Sequence, residues 1–85
     1  MNDIKKLKYN SLKKKFEFIK FYVEIYEKTD YTSYILQTDF CDTYQKAINL
    51  KNKITYIDKT NYGIRIMVAY GTEEDFDINV FEEFR

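Results

Sequence analysis

The side chains best equipped for catalysis are nearly missing from this sequence. It has no His and a single Cys, Cys41. General acid–base chemistry near neutral pH is most often carried by imidazole, and a Cys nucleophile needs a base beside it. Cys41 therefore reads as a buried structural thiol. Ser11 and Ser33 are not framed by glycines, so neither forms a nucleophile elbow. Gly63 and Gly71 are the only glycines and cannot build a phosphate-cradling loop. Carboxylates are what is left. Asp39, Asp42, Asp58 and the acids of 73–77 would be the candidates of a metal-dependent enzyme. The run Glu73-Glu74-Asp75-Phe76-Asp77-Ile78-Asn79 supplies oxygen ligands, but it lacks the alternating acids, central Gly and terminal Glu of a calcium loop. It reads as a solvated hairpin tip. The expectation is a protein without catalytic residues, metal or cofactor, one that works by contact.

The charges suggest where contact would be made. Residues 1–28 carry eight Lys against four acids, and residues 61–85 carry six acids against Arg65 and Arg85. The acidic end, with Glu73, Glu74, Asp75 and Asp77, offers closely spaced carboxylates that can compete for a basic groove. Tyr joins a large apolar ring to a hydroxyl and is favoured at contact surfaces, so Tyr22 and Tyr26 are expected to complete an acidic, aromatic docking surface. The leading expectation is a protein-binding module: a small inhibitor or accessory protein of a phage or mobile element. The basic end supports an alternative. Lys8, Lys13, Lys14 and Lys15 can neutralise phosphates, and Tyr9 can stack on an unpaired base. Against a nucleic-acid partner stand a sequence pI near 6.2 and only two Arg to read base edges. Opposite charges at the two ends also allow a homodimer.

Lys, Asn, Ile, Tyr and Phe make up 44 of the 85 residues. Their codons are rich in A and T, so an AT-rich genome, such as that of a low-GC bacterium or its phage, accounts for part of the Lys count. One Cys cannot form an internal disulfide, which fits a reducing compartment. No secretion signal is visible. The most apolar stretch, residues 16–26, is interrupted by Glu17, Lys20 and Glu24 and is shorter than the roughly 20 residues of a membrane span. A cytoplasmic protein with no membrane span is expected.

These residues must be positioned by one small domain, residues 1–85, whose thin core leans on nine Tyr and seven Phe. Residues 2–14 read as a basic helix or arm anchored by Ile4, Leu7 and Leu12. Residues 15–27 fit two patterns. As a helix, Leu12, Phe16, Ile19, Val23 and Tyr26 form a seam. As a strand, Ile19, Phe21, Val23 and Ile25 share one face. The Phe, Tyr, Val and Ile content tips the balance to strand. Lys28-Thr29-Asp30 then turns the chain into a second β-rich run, residues 31–38. Residues 40–54 form the clearest helix, capped by Asp39 or Asp42, with Phe40, Tyr44, Ala47, Ile48 and Ile54 on its apolar side. Tyr62, Ile64, Ile66, Val68 and Tyr70 alternate in a further strand. After a loop over 71–75, Phe76, Ile78 and Val80 alternate in its partner, and their face is expected to pack under the helix. The fold class expected is a small two-layer α+β domain, with antiparallel hairpins packed against one amphipathic helix and a basic N-terminal helix or arm.

Overall fold

The computed structural model describes residues 16–84. They form four strands and one helix: β1 (Phe18–Glu27), β2 (Asp30–Gln37), α1 (Tyr44–Lys53), β3 (Tyr62–Gly71) and β4 (Phe76–Phe84). The strands make a single antiparallel sheet in the order β2-β1-β3-β4. The two-layer α+β arrangement is therefore as expected. The basic arm at 2–14 lies outside the described residues.

Residues 18–27 are a strand. Ten consecutive Cα pairs, from Phe18 opposite Gly71 to Glu27 opposite Tyr62, join β1 to β3 at the sheet centre. β-branched and aromatic side chains suit this pleated, doubly flanked position. β2 and β3 run parallel to each other with β1 between them, so their connection must cross a face of the sheet. α1 makes that crossing.

α1 begins later than the apolar pattern implies. Its N-cap is Thr43, whose Oγ1 accepts the Lys46 backbone N–H at 3.2 Å. Asp39 and Asp42 cap nothing here. Phe40 and Cys41 precede the helix in extended chain: Phe21 N–H donates to Cys41 O at 2.9 Å, and Cys41 N–H donates back to Phe21 O. This bridge carries the chain along the edge of β1 and points Phe40 away from the helix layer. Lys51 and Lys53 occupy the last turn, where cations favour the helix dipole.

The core lies between α1 and one sheet face. Phe21, Val23 and Ile25 of β1, Ile64, Ile66 and Val68 of β3, and Phe81 of β4 pack against Tyr44, Ala47 and Ile54. Phe21, Tyr44 and Phe81 form a ring cluster with centroids 5.3–6.1 Å apart. Aromatic contacts of this kind add about 1 kcal/mol each beyond the area they bury.

β4 departs from the simple alternation. Ile66 faces Glu82 and Met67 faces Val80, so Phe81 is an extra residue, a β-bulge. The bulge turns Phe81 into the core at 1% exposure. It also reverses the faces of the preceding residues. Phe76, Ile78 and Val80 pair with Gly71, Ala69 and Met67 and lie on the side opposite the helix, while Asp77 and Asn79 pair with Tyr70 and Val68 on the helix side. The expected packing of Phe76, Ile78 and Val80 under the helix is thus corrected. One inserted residue shifts the pleat by one and sends every earlier side chain to the other face.

Candidate functional site

The β3–β4 loop is the acidic tip. Gly71 has φ +141°, a region L side chains rarely adopt, and a Cβ there would meet Asp75 O at 2.7 Å. The loop closes on itself through Thr72 and Asp75. Thr72 N–H donates to Asp75 O at 3.0 Å, and Asp75 N–H donates to Thr72 Oγ1 at 3.1 Å. Glu73, Glu74 and Asp75 are exposed on this tied loop. Asp77 is exposed too, two residues into β4, on the helix side of the sheet.

Aromatic side chains gather beside the tip, on the sheet face away from α1. Phe18 opens β1 opposite Gly71, and Phe76 opens β4 immediately after Asp75. Their ring centroids are 5.2 Å apart, and Phe40 completes the group at 6.2 Å from Phe18 and 5.9 Å from Phe76. Phe40 is 47% exposed and neighbouring Ile78 is 44% exposed. A shallow hollow bordered by Glu17, Phe18, Lys20, Thr72 and Glu73 joins this group to the loop. Lys20 is held at the edge by Asp42, and that hydrogen bond keeps the Asp42 carboxyl below its usual range.

The tyrosines expected to share the site are both buried. Tyr22 is 5% exposed, with its ring 5.6 Å from Phe40, so it forms the floor of the aromatic group and not its contact surface. Burial, with Glu24 nearby, pushes its phenol up. Tyr26 is 2% exposed and pairs with Gly63 at the far end of β1, roughly 26 Å from Phe18 at about 3.3 Å per residue. The structure brings Glu73, Glu74 and Asp75 together with Phe18, Phe40, Phe76 and Ile78, and leaves Tyr26 out. Lys8, Tyr9, Lys13, Lys14 and Lys15 lie outside the described residues.

A second concavity, of about 530 Å³, opens where the end of α1 meets β3 and β4. Ile54, Tyr62, Ile64 and Phe84 give it an apolar wall, and Lys51 and Lys59 border it. Lys51 Nζ lies over the Phe84 ring, 4.3 Å from its centroid. No carboxylate lines it among the described residues, so it assembles no acid–base pair.

Cys41 is buried beside the bridge to β1, and burial raises its thiol pKa. A thiol held protonated is a poor nucleophile. Among the described residues no three His, Cys, Asp or Glu side chains converge as a metal site, and no helix is long and apolar enough to cross a membrane.

Compared with known proteins, the chain matches no family model, no curated sequence and no solved structure.

The outward placement of Phe76 and Ile78 had one signal in the sequence. The adjacent apolar pair Val80-Phe81 breaks the period of two, and a bulge there exchanges the faces of β4. Phe40 had none, because its outward turn depends on a backbone bridge between residues twenty apart.

Proposed function

We propose that this protein is a protein-binding module, acting by contact and without catalysis, and that its docking surface is the end of the sheet where the acidic tip meets the exposed aromatics. The observation that carries this reading is the placement of Glu73, Glu74 and Asp75 directly beside Phe40, Phe76 and Ile78. Exposed apolar side chains rimmed by charge are the make-up of a contact site. The matching partner surface is basic with apolar side chains between the cations. The apolar members hold the complex together, while the acids steer association and set its salt dependence.

The expected response to substitution follows from that division. Phe40→Ser combined with Ile78→Ser should weaken the complex mainly through faster dissociation. Reversing Glu73, Glu74 and Asp75 to Lys should slow association and invert its dependence on ionic strength, since added salt then screens a repulsion. Both are measured by surface plasmon resonance on the partner captured from the native host after nuclease treatment. Unchanged rate constants in both variants, or loss of capture on nuclease treatment alone, would defeat the proposal.

A further inference from the structure

The concavity at the end of α1 lies at the opposite end of the sheet from the acidic tip. β3 begins in it at Tyr62 and reaches the tip at Gly71, roughly 30 Å away at about 3.3 Å per residue. Its floor is the cross-strand pair Ile64 and Phe84, with Tyr62 beside them. Ile54, the C-cap of α1, and Ile57 of the following connection form its side. The volume of about 530 Å³ falls in the range of small-molecule sites, about 300–1,000 Å³. Such sites set a few charged or polar groups in a largely apolar wall to fix the ligand's orientation. Here the charged groups are Lys51 and Lys59. Lys51 Nζ is held at the wall by the Phe84 ring, 4.3 Å from its centroid. Lys59 is exposed at the border, and Lys28 Nζ donates to its backbone oxygen, which sets a third cation nearby. Among the described residues neither Lys51 nor Lys59 pairs with a carboxylate. Asp58 precedes Lys59 in the chain but commits both its oxygens to Thr60 and Asn61. Glu27 stands opposite Tyr62 on β1 and does not line the concavity.

We propose that this concavity binds a small monocarboxylate with an apolar body, of the medium-chain fatty acid class. Two cations without carboxylate partners on an apolar wall select a ligand that carries a negative head on a hydrophobic tail. The head is a carboxylate because of the helix end that faces it. The last carbonyls of α1 carry partial negative charge, and Lys51 and Lys53 in that turn offset it. One negative charge fits this balance. A phosphate, at about −2, is held best by converging backbone N–H groups, as at a helix N-terminus, and α1 presents its other end here. The tail is set by the wall. Ile54 and Ile64 are 9% and 5% exposed, and Ile57, Tyr62 and Phe84 are half-buried, so an acyl chain laid on them leaves water. Each pair of methylenes added to the tail should then tighten binding about tenfold, until the wall is filled. This site is separate from the acidic, aromatic tip, and the inference does not depend on the function proposed for that end.

The test is a titration of the full chain with decanoate, octanoate, 1-decanol, decyltrimethylammonium and adenosine monophosphate, followed by amide and methyl NMR and by calorimetry. Decanoate should bind once per chain with a Kd on the order of 0.1 mM. It should shift the methyl signals of Ile54, Ile57 and Ile64 and leave that of Ile78 at the tip in place. Octanoate should bind about tenfold more weakly. Decanol should also bind at least about tenfold more weakly, having the tail without the charge. The ammonium and the nucleotide should give no saturable shift. Lys51→Gln with Lys59→Gln should bring decanoate down to the affinity of decanol, with the β1 and β3 amide signals unchanged. Equal affinity for decanoate and decanol in the unsubstituted chain would overturn the inference. So would decanoate binding untouched by the double substitution, tighter binding of the nucleotide, shifts centred on Phe40 and Ile78, or no saturable shift at all.

Discussion

Arg65 Nε donates to Glu24 Oε2 at 2.5 Å, across paired positions of the two central strands, with both side chains buried. The other carboxylate oxygen accepts from Gln37 Nε2 at 2.8 Å, and the guanidinium lies 4.4 Å from the Tyr26 ring centroid. One buried pair thereby ties three strands together. Removing one member strands a charge. Glu24→Ala or Arg65→Ala should each cost about 3–5 kcal/mol in urea unfolding, whereas Glu24→Leu with Arg65→Met together should cost far less. Single variants no more damaging than the double would show that the pair is not desolvated.

Tyr26 and Gly63 are cross-strand partners, and the ring occupies the space a side chain at 63 would need. A Cβ on Gly63 would stand 2.5 Å from Tyr26 Cζ. Gly63→Ala should destabilise the domain by about 1–3 kcal/mol through overpacking. Adding Tyr26→Leu should remove most of that increment, a non-additivity read from a double-mutant cycle. Strict additivity would place the ring elsewhere.

The Tyr44 hydroxyl donates to Glu82 Oε1, closing α1 onto the bulged strand. Burial first, and that bond second, raise the phenol pKa well above its ordinary 10.0. A raised folded value means the native state keeps its proton longer than the unfolded chain. The stabilisation is complete below pH 10 and is withdrawn as pH climbs toward the folded value. Tyr44→Phe should cost about 1 kcal/mol at neutral pH and flatten the alkaline loss of stability. Equal slopes above pH 10 in both proteins would refute this.

Asp58 shapes the turn into β3. Its Oδ1 accepts the Thr60 backbone N–H at 2.9 Å, and its Oδ2 accepts from Asn61 Nδ2 at 2.7 Å. These bonds, the backbone one foremost, lower its pKa below the usual 3.8. Its contribution is therefore present above pH 3.8 and disappears as pH falls through the lower folded value. Asp58→Ala should lower the melting temperature at pH 7 and reduce the acid dependence below pH 4. A melting temperature unchanged at pH 7 would contradict the assignment.

Much of this fold was legible in the residues. The Phe, Tyr, Val and Ile of 18–27 read as strand because such side chains fit a pleated surface. The strict alternation from Tyr62 to Tyr70 showed which residues of β3 share the core face. The start of α1 was less legible: the cap was expected at Asp39 or Asp42, but the Phe21–Cys41 bridge, a long-range contact, holds the chain extended through Cys41, and the cap falls at Thr43. The candidate site was half legible. The acids at 73–75 stand out by charge alone. Their aromatic neighbours do not, because β1 is apolar on both faces and the Phe81 bulge decides on which side Phe76 and Ile78 emerge. Tyr22 and Tyr26 looked like contact residues for the same reason; nothing in a two-sided apolar strand tells which face is covered.

The central claim is that the acidic, aromatic end of the sheet is where a partner docks. A photoreactive phenylalanine analogue placed at Phe40, and separately at Tyr56, tests it most directly in living cells of the native host. Tyr56 is the control, being 74% exposed but in the connection after α1. Illumination should give a discrete, nuclease-resistant protein adduct from position 40, abolished by charge reversal at Glu73, Glu74 and Asp75, and none from position 56. Equal adducts from both positions, none from position 40, or a nuclease-sensitive product would contradict the account.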